Sequence, residues 1–150
     1  MNIDKTLHKI VLKTGRVITE CRCEECKSQC RTPCLGTPDD IIKLIEAGYT
    51  DKLRLTVWTV GMRINKIEFP IPMVQAMMTE NGCIFFKNGL CELHDLGLKP
   101  TEGKLSNHTT KLDNYIFEMS LTWNVAREWI KSDNIDKIIS IIFLISILNK

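Results

Sequence analysis

The sequence predicts an α+β domain: a small mixed or antiparallel sheet tied to a metal-binding cysteine cluster, with three or more helices packed around it. Three observations carry this. The stretch CRCEECKSQCRTPC places five cysteines between Cys21 and Cys34. The segments LRLTVWTV and CIFFKNGLCELH are rich in branched and aromatic residues, the composition of strands and hairpins. The segments 38–47, 113–131 and 135–148 read as helices from their apolar spacing and their boundary residues.

Taken in order, residues 7–20 mix apolar and basic side chains around Gly15, and Arg16–Thr19 is expected as a short strand leading into the cysteines. After Cys34, GTPDDIIKLIEAGY carries the clearest local signal. Thr37 can cap a helix, Pro38 falls at its first position, and Asp39 and Asp40 bring negative charge to the first turn. Ile41, Leu44 and Ile45 form an apolar stripe edged by Ile42, and Gly48 suits a left-handed stop after Ala47. Leu53–Val60 and Ile64–Phe69 are expected strands, after which Pro70 and Pro72 break regular pairing. Asn88-Gly89 between Cys83–Phe86 and Leu90–Leu93 is a hairpin turn signal, which would bring Cys83 and Cys91 near one another. In 113–131, Ile116, Met119, Trp123, Ala126 and Ile130 follow helical spacing, widened by Phe117 and Trp129.

A chain of 150 residues suits one domain over 1–150, with 113–150 as a helical C-terminal extension. The formal charge of +2 gives no electrostatic reason to expect nucleic acid or acidic lipid. MNIDKTLHKIVLKTGRVITE has no apolar run of signal-peptide length, so a cytoplasmic location is expected. Thiols stay reduced there, and clustered cysteines bind metal more often than they form disulfides. The apolar run Ile138–Leu148 would span about 17 Å as a helix, against about 30 Å of bilayer hydrocarbon. No membrane span is expected; a buried or interface helix suited to self-association is.

The seven cysteines form two groups: Cys21, Cys23, Cys26, Cys30 and Cys34, then Cys83 and Cys91. A tetrahedral zinc site takes four soft ligands at about 2.3 Å. Cys23 and Cys26 have the spacing of a short chelate ring, and Cys26, Cys30 and Cys34 recur every four residues. No single tight loop readily supplies four ligands to one ion, so Cys83 and Cys91 are the natural completion of a split site. His94, three residues after Cys91, and His108, in the next loop, are further candidates, either as ligands or as groups that orient one. Seven thiols and one imidazole would make eight ligands, enough for two tetrahedral ions. Arg22, Lys27 and Arg31 are interleaved with the thiols, either as a solvated loop surface or to offset thiolate charge.

CRCEECKSQCRTPCLGTPDD, followed by CIFFKNGLCELHDLGLKPTEGKLSNH, resembles the YkgJ-like cysteine-cluster family, described as zinc- or iron-chelating proteins. The resemblance covers roughly residues 15–110 in two blocks. It implies that Cys23, Cys26, Cys30 and Cys34 match the first cluster and Cys83 and Cys91 the second, with Cys21 just ahead. The chain departs from the common pattern in lacking an adjacent Cys-Cys pair. It also has LGLKPTEGKLSNH where an Arg-Pro-x-x-Cys segment would stand, leaving His94 or His108 for that role.

The expected function is metal chelation, with zinc as one or two ions. The alternative is an iron–sulfur protein with an electron-transfer or redox role. C-x2-C-x3-C matches neither the bacterial nor the plant-type ferredoxin run. A catalytic metal would want a carboxylate beside an open position, and Glu92 and Asp95 are the nearest by sequence. No catalytic residue is assigned. A metal-stapled interaction module using the aromatic helix and apolar tail is the remaining class.

Overall fold

The structure is a computed structural model describing residues 4–18, 24, 31–106 and 116–148. Chain entry is helical rather than extended. α1 (Lys5–Thr14) is capped by Asp4, whose carboxylate accepts the Thr6 and Leu7 N–H groups, and ends at Gly15 in the left-handed region. Arg16–Ile18 then has no regular structure, so the expected strand is absent there, and Thr19 lies outside the described residues. The missed signal was the pair of boundary residues, Asp4 and Gly15, around the stripe Leu7, Ile10, Val11.

α2 (Pro38–Glu46) begins as expected. Thr37 and Asp40 form a reciprocal capping box, with Pro38 in the first turn. β1 (Leu53–Trp58) also follows expectation but stops earlier, because Val60–Arg63 turns into the short helix α3. The expected strand Ile64–Phe69 is replaced by a turn in which Asn65 has φ 59°. The second strand is instead β2 (Ile71–Ala76), antiparallel to β1 with Leu53 opposite Ala76 and Val57 opposite Pro72. Proline is tolerated because the sheet has two strands, and its missing N–H can face the unpaired edge.

Two small hairpins follow, β3 (Met78–Thr79) with β4 (Gly82–Cys83) and β5 (Phe86–Lys87) with β6 (Leu90–Cys91). Asn88 (φ 55°) and Gly89 (φ 79°) make the expected turn, both positive as a type I′ turn requires. Cys83, however, pairs backward with Met78 rather than forward across that turn. The chain changes partners at Ile84, whose N–H donates to Met77 O, and Phe85, whose carbonyl accepts from Glu92. All strand pairing among the described residues is antiparallel, so the sheet is not mixed. The two-residue turns of the small hairpins are far too short for a parallel crossover.

α4 (Thr101–Leu105) comes next. Of the helix expected over 113–131, residues 113–115 lie outside the described residues, and the remainder is broken. Phe117–Met119 is a single 3-10 turn, α5 covers Leu121–Ala126, and Arg127–Trp129 tightens again. Ser120 interrupts it with extended backbone and donates its hydroxyl to Phe117 O, while the Asn124 amide donates to Glu118 O and Ser120 O. Such side-chain bonds compete with the helix ladder. The buried stripe is Phe117, Leu121, Val125 and Trp129, whereas Ile116, Met119 and Ile130 are exposed. α6 (Ile135–Leu148) forms as expected and buries Ile141 and Ile145.

The main core joins Ile41 and Leu44 of α2, Leu53 and Trp58 of β1, Ile71 and Val74 of β2, and Ile141 and Ile145 of α6. Phe85 and Leu93 extend it beneath the hairpins. A second cluster joins Ile10, Leu105, Leu121 and Val125. No helix among the described residues is long and apolar enough to cross a membrane.

Candidate metal centre

Three cysteines from three separate segments line one cavity. Cys34 comes from the loop before α2, Cys83 from β4 and Cys91 from β6, and all three line one cavity of about 20 Å³. The other walls are Thr32, Ala76, Phe85, Leu93 and Pro100. Cys83 is buried, while Cys34 and Cys91 are partly so. A space this small suits a guest the size of one water or ion; organic ligands occupy pockets of about 300 Å³ or more. Among the described residues, no three His, Cys, Asp or Glu side chains form a group that could hold a metal ion. Cys21, Cys23, Cys26, Cys30 and His108 lie outside the described residues.

The placement of Cys34 is fixed by polar bonds on the residues after it. The buried Gln75 side chain accepts from Gly36 N–H at 2.9 Å and donates to Gly36 O at 3.2 Å. Trp129 Nε1 donates to the same carbonyl at 2.8 Å. Leu35 is bonded to Glu102 in both directions: its N–H donates to Glu102 Oε1 at 2.9 Å, and its carbonyl accepts from Glu102 N–H at 3.0 Å. Asp40, besides capping α2, accepts from Thr101 N–H at 2.8 Å and Thr101 Oγ1 at 2.6 Å. These seven hydrogen bonds, between four residue pairs, tie the segment 35–40 to β2, to α4 and to the tryptophan before α6.

Burial is the largest influence on Glu102 and raises its carboxyl above the ordinary carboxylate value. Hydrogen bonds from Leu35 and Thr122 and the charge of Arg16 pull the other way without reversing it. The turn of the first hairpin adds a further contact, since Gly82 packs against the Arg31 backbone at the end of the cysteine stretch.

The other sequence candidates stand apart. His94 begins a 3-10 turn, pairs with neighbouring Asp95 at 3.3 Å, and does not line the cysteine cavity. Glu92 is held by Lys52 at 3.1 Å and Lys87 at 3.4 Å. Burial pushes the Glu92 carboxyl up, but the bonds and charges from these lysines outweigh it and lower it overall. Glu92 is therefore a partner of two cations rather than a carboxylate poised at an open coordination position.

Gln75, Glu102 and Trp129 were not singled out as site residues by sequence. The signal for Gln75 was present: one amide inside the otherwise apolar strand IPMVQA. A polar group at such a position needs buried partners. Compared with family models, curated proteins and solved structures, the chain finds no match.

Proposed function

We propose that this chain is a metal-chelating cysteine-cluster protein, binding zinc through thiolates drawn from both sequence blocks, in the manner the YkgJ-like family resemblance implies. The observation that carries the reading is the convergence of Cys34, Cys83 and Cys91 on one ion-sized cavity. The donor chemistry fits: a thiolate among Phe85, Leu93 and Pro100 loses its water and gains from a soft cation. The remaining ligands are assigned to the first cluster, Cys21, Cys23, Cys26 and Cys30. Neither His94 nor any carboxylate is needed. A thiolate-only tetrahedral site is closed, which favours a structural or carrier role over catalysis. The reading places the protein in the cytoplasm, where these thiols stay reduced.

The test is metal analysis of protein purified without oxygen. The expected result is one or two zinc ions per chain, no visible absorption, and loss of metal on Cys34→Ser exceeding that on Cys21→Ser. Bound iron with a visible charge-transfer band would move the assignment to an iron–sulfur redox protein. Absence of both metals ends the reading.

Self-association is a second role, favoured by one face of α6. Ile135, Ile139, Phe143 and Ile147 recur every four residues and are all exposed, forming an apolar stripe opposite the buried Ile141 and Ile145.

A further inference from the structure

Gly103 sits inside α4, and its backbone is not among the positive-φ glycines. A helix interior ordinarily disfavours glycine, so its reason lies in space rather than conformation. A Cβ built at Gly103 would fall 2.8 Å from Cys34 Sγ, and 2.9 Å from the end of the Lys99 side chain. The lysine can swing away. The thiol lies between the cavity shared with Cys83 and Cys91 and a second one of about 90 Å³ lined by Lys99, Glu102, Gly103 and Ser106, so a methyl at Gly103 would push the sulfur out of its place toward one of these spaces.

We infer that α4 is the backstop of the metal centre: Gly103 leaves room for the Cys34 sulfur, and Glu102, bonded to Leu35 in both directions, fixes the backbone that aims it. Both are positioning residues acting through Cys34, and this rests on the metal-chelating reading above. The two contacts are adjacent in sequence and address adjacent residues, Cys34 and Leu35, so one turn of helix sets both the direction and the depth of the thiol. Groups that orient a ligand in this way typically alter metal affinity by about 10–100-fold when changed.

The experiment uses the full chain, with cobalt(II) as a spectroscopic probe and zinc in competition. Gly103→Ala is expected to weaken cobalt(II) by about tenfold or more and to shift the thiolate charge-transfer band, because the sulfur is displaced. Glu102→Gln keeps an acceptor for Leu35 N–H and is expected to bind like the unmodified chain. Glu102→Leu removes the acceptor and is expected to behave like Gly103→Ala. A Gly103→Ala protein with unchanged affinity and spectrum overturns the positioning role while leaving chelation intact. Should Gly103→Ala fail to fold, the Glu102 pair decides: equal binding by the Gln and Leu variants overturns it. An unmodified chain with no thiolate band overturns both readings together.

Discussion

Replacing Gln75 with leucine isolates the clamp on the cysteine segment. The side chains are similar in volume, so little cavity forms. What changes is Gly36, a buried residue whose N–H then loses the Gln75 oxygen at 2.9 Å. Its carbonyl keeps the Trp129 indole at 2.8 Å. The cost is therefore that of one buried donor left unsatisfied, about 1–3 kcal/mol. For a chain of this size each kcal/mol lowers Tm by about 2–4 °C, which gives a drop of about 2–12 °C. The assay is urea and thermal unfolding with excess chelator present, so that metal linkage adds nothing to the difference. Trp129→Phe provides the contrast, since the Gly36 carbonyl then still accepts from Gln75 at 3.2 Å. Its loss should reflect indole packing more than an orphaned polar group. A Gln75→Leu protein within about 0.5 kcal/mol of the unmodified chain would show that Gly36 N–H readily finds another partner, and the clamp argument would fail.

Two further outcomes are expected. The Glu102 carboxyl, raised in the folded state above its ordinary 4.5, binds a proton more readily folded than unfolded. Its contribution to stability is thus fully present below about 4.5 and is lost as pH rises through the folded value. Glu102→Gln should flatten that decline in denaturation curves taken across this range, and an unaltered slope would remove Glu102 as its source. On α6, Phe143 is 66% exposed. Phe143→Glu should lower the oligomeric state in sedimentation experiments with stability changed by no more than about 0.5 kcal/mol. An unchanged oligomeric state would show that this face does not mediate assembly. Deleting the whole segment 138–150 is a poorer test, because it also removes Ile141 and Ile145 from the core.

The legible parts of the fold were those governed by local rules. The capping box at Thr37, the Asn88-Gly89 turn and the extent of α6 each follow from a few adjacent residues. Failures came where side-chain bonds or strand partners overrode the apolar pattern. Apolar spacing in 113–131 fits a helix, yet the buried Asn124 amide and the Ser120 hydroxyl capture backbone carbonyls and divide it. Ile64–Phe69 alternates like a strand, but the pairing residues are Ile71–Ala76, where a proline is admitted because the sheet is only two strands wide. At the site, Cys83 and Cys91 line one cavity, although Cys83 pairs back to Met78 rather than across the Asn88-Gly89 turn. The supporting residues were invisible because their partners are distant: 39 positions separate Gln75 from Gly36, and 67 separate Glu102 from Leu35.

The distribution of regular structure gives those supporting bonds their meaning. Cys83 and Cys91 sit on strands of two residues, and the α4 backstop is a helix of five. Hairpins this short are marginal in isolation, and a helix of that length lies well below the size that forms by itself. The apolar core at β1, β2 and α6 cannot hold such elements in register by burial alone, because burial is non-directional. Directional bonds set the loop before α2 against α4 and β2: Asp40 to Thr101, Glu102 to Leu35, Gln75 to Gly36. Two of these bonds fix backbone within two residues of Cys34, and none of the bonded residues lines the cavity the thiols share. A region built this way is oriented but thinly stabilised, and a cation joining its thiolates would couple metal binding to the order of the whole loop cluster.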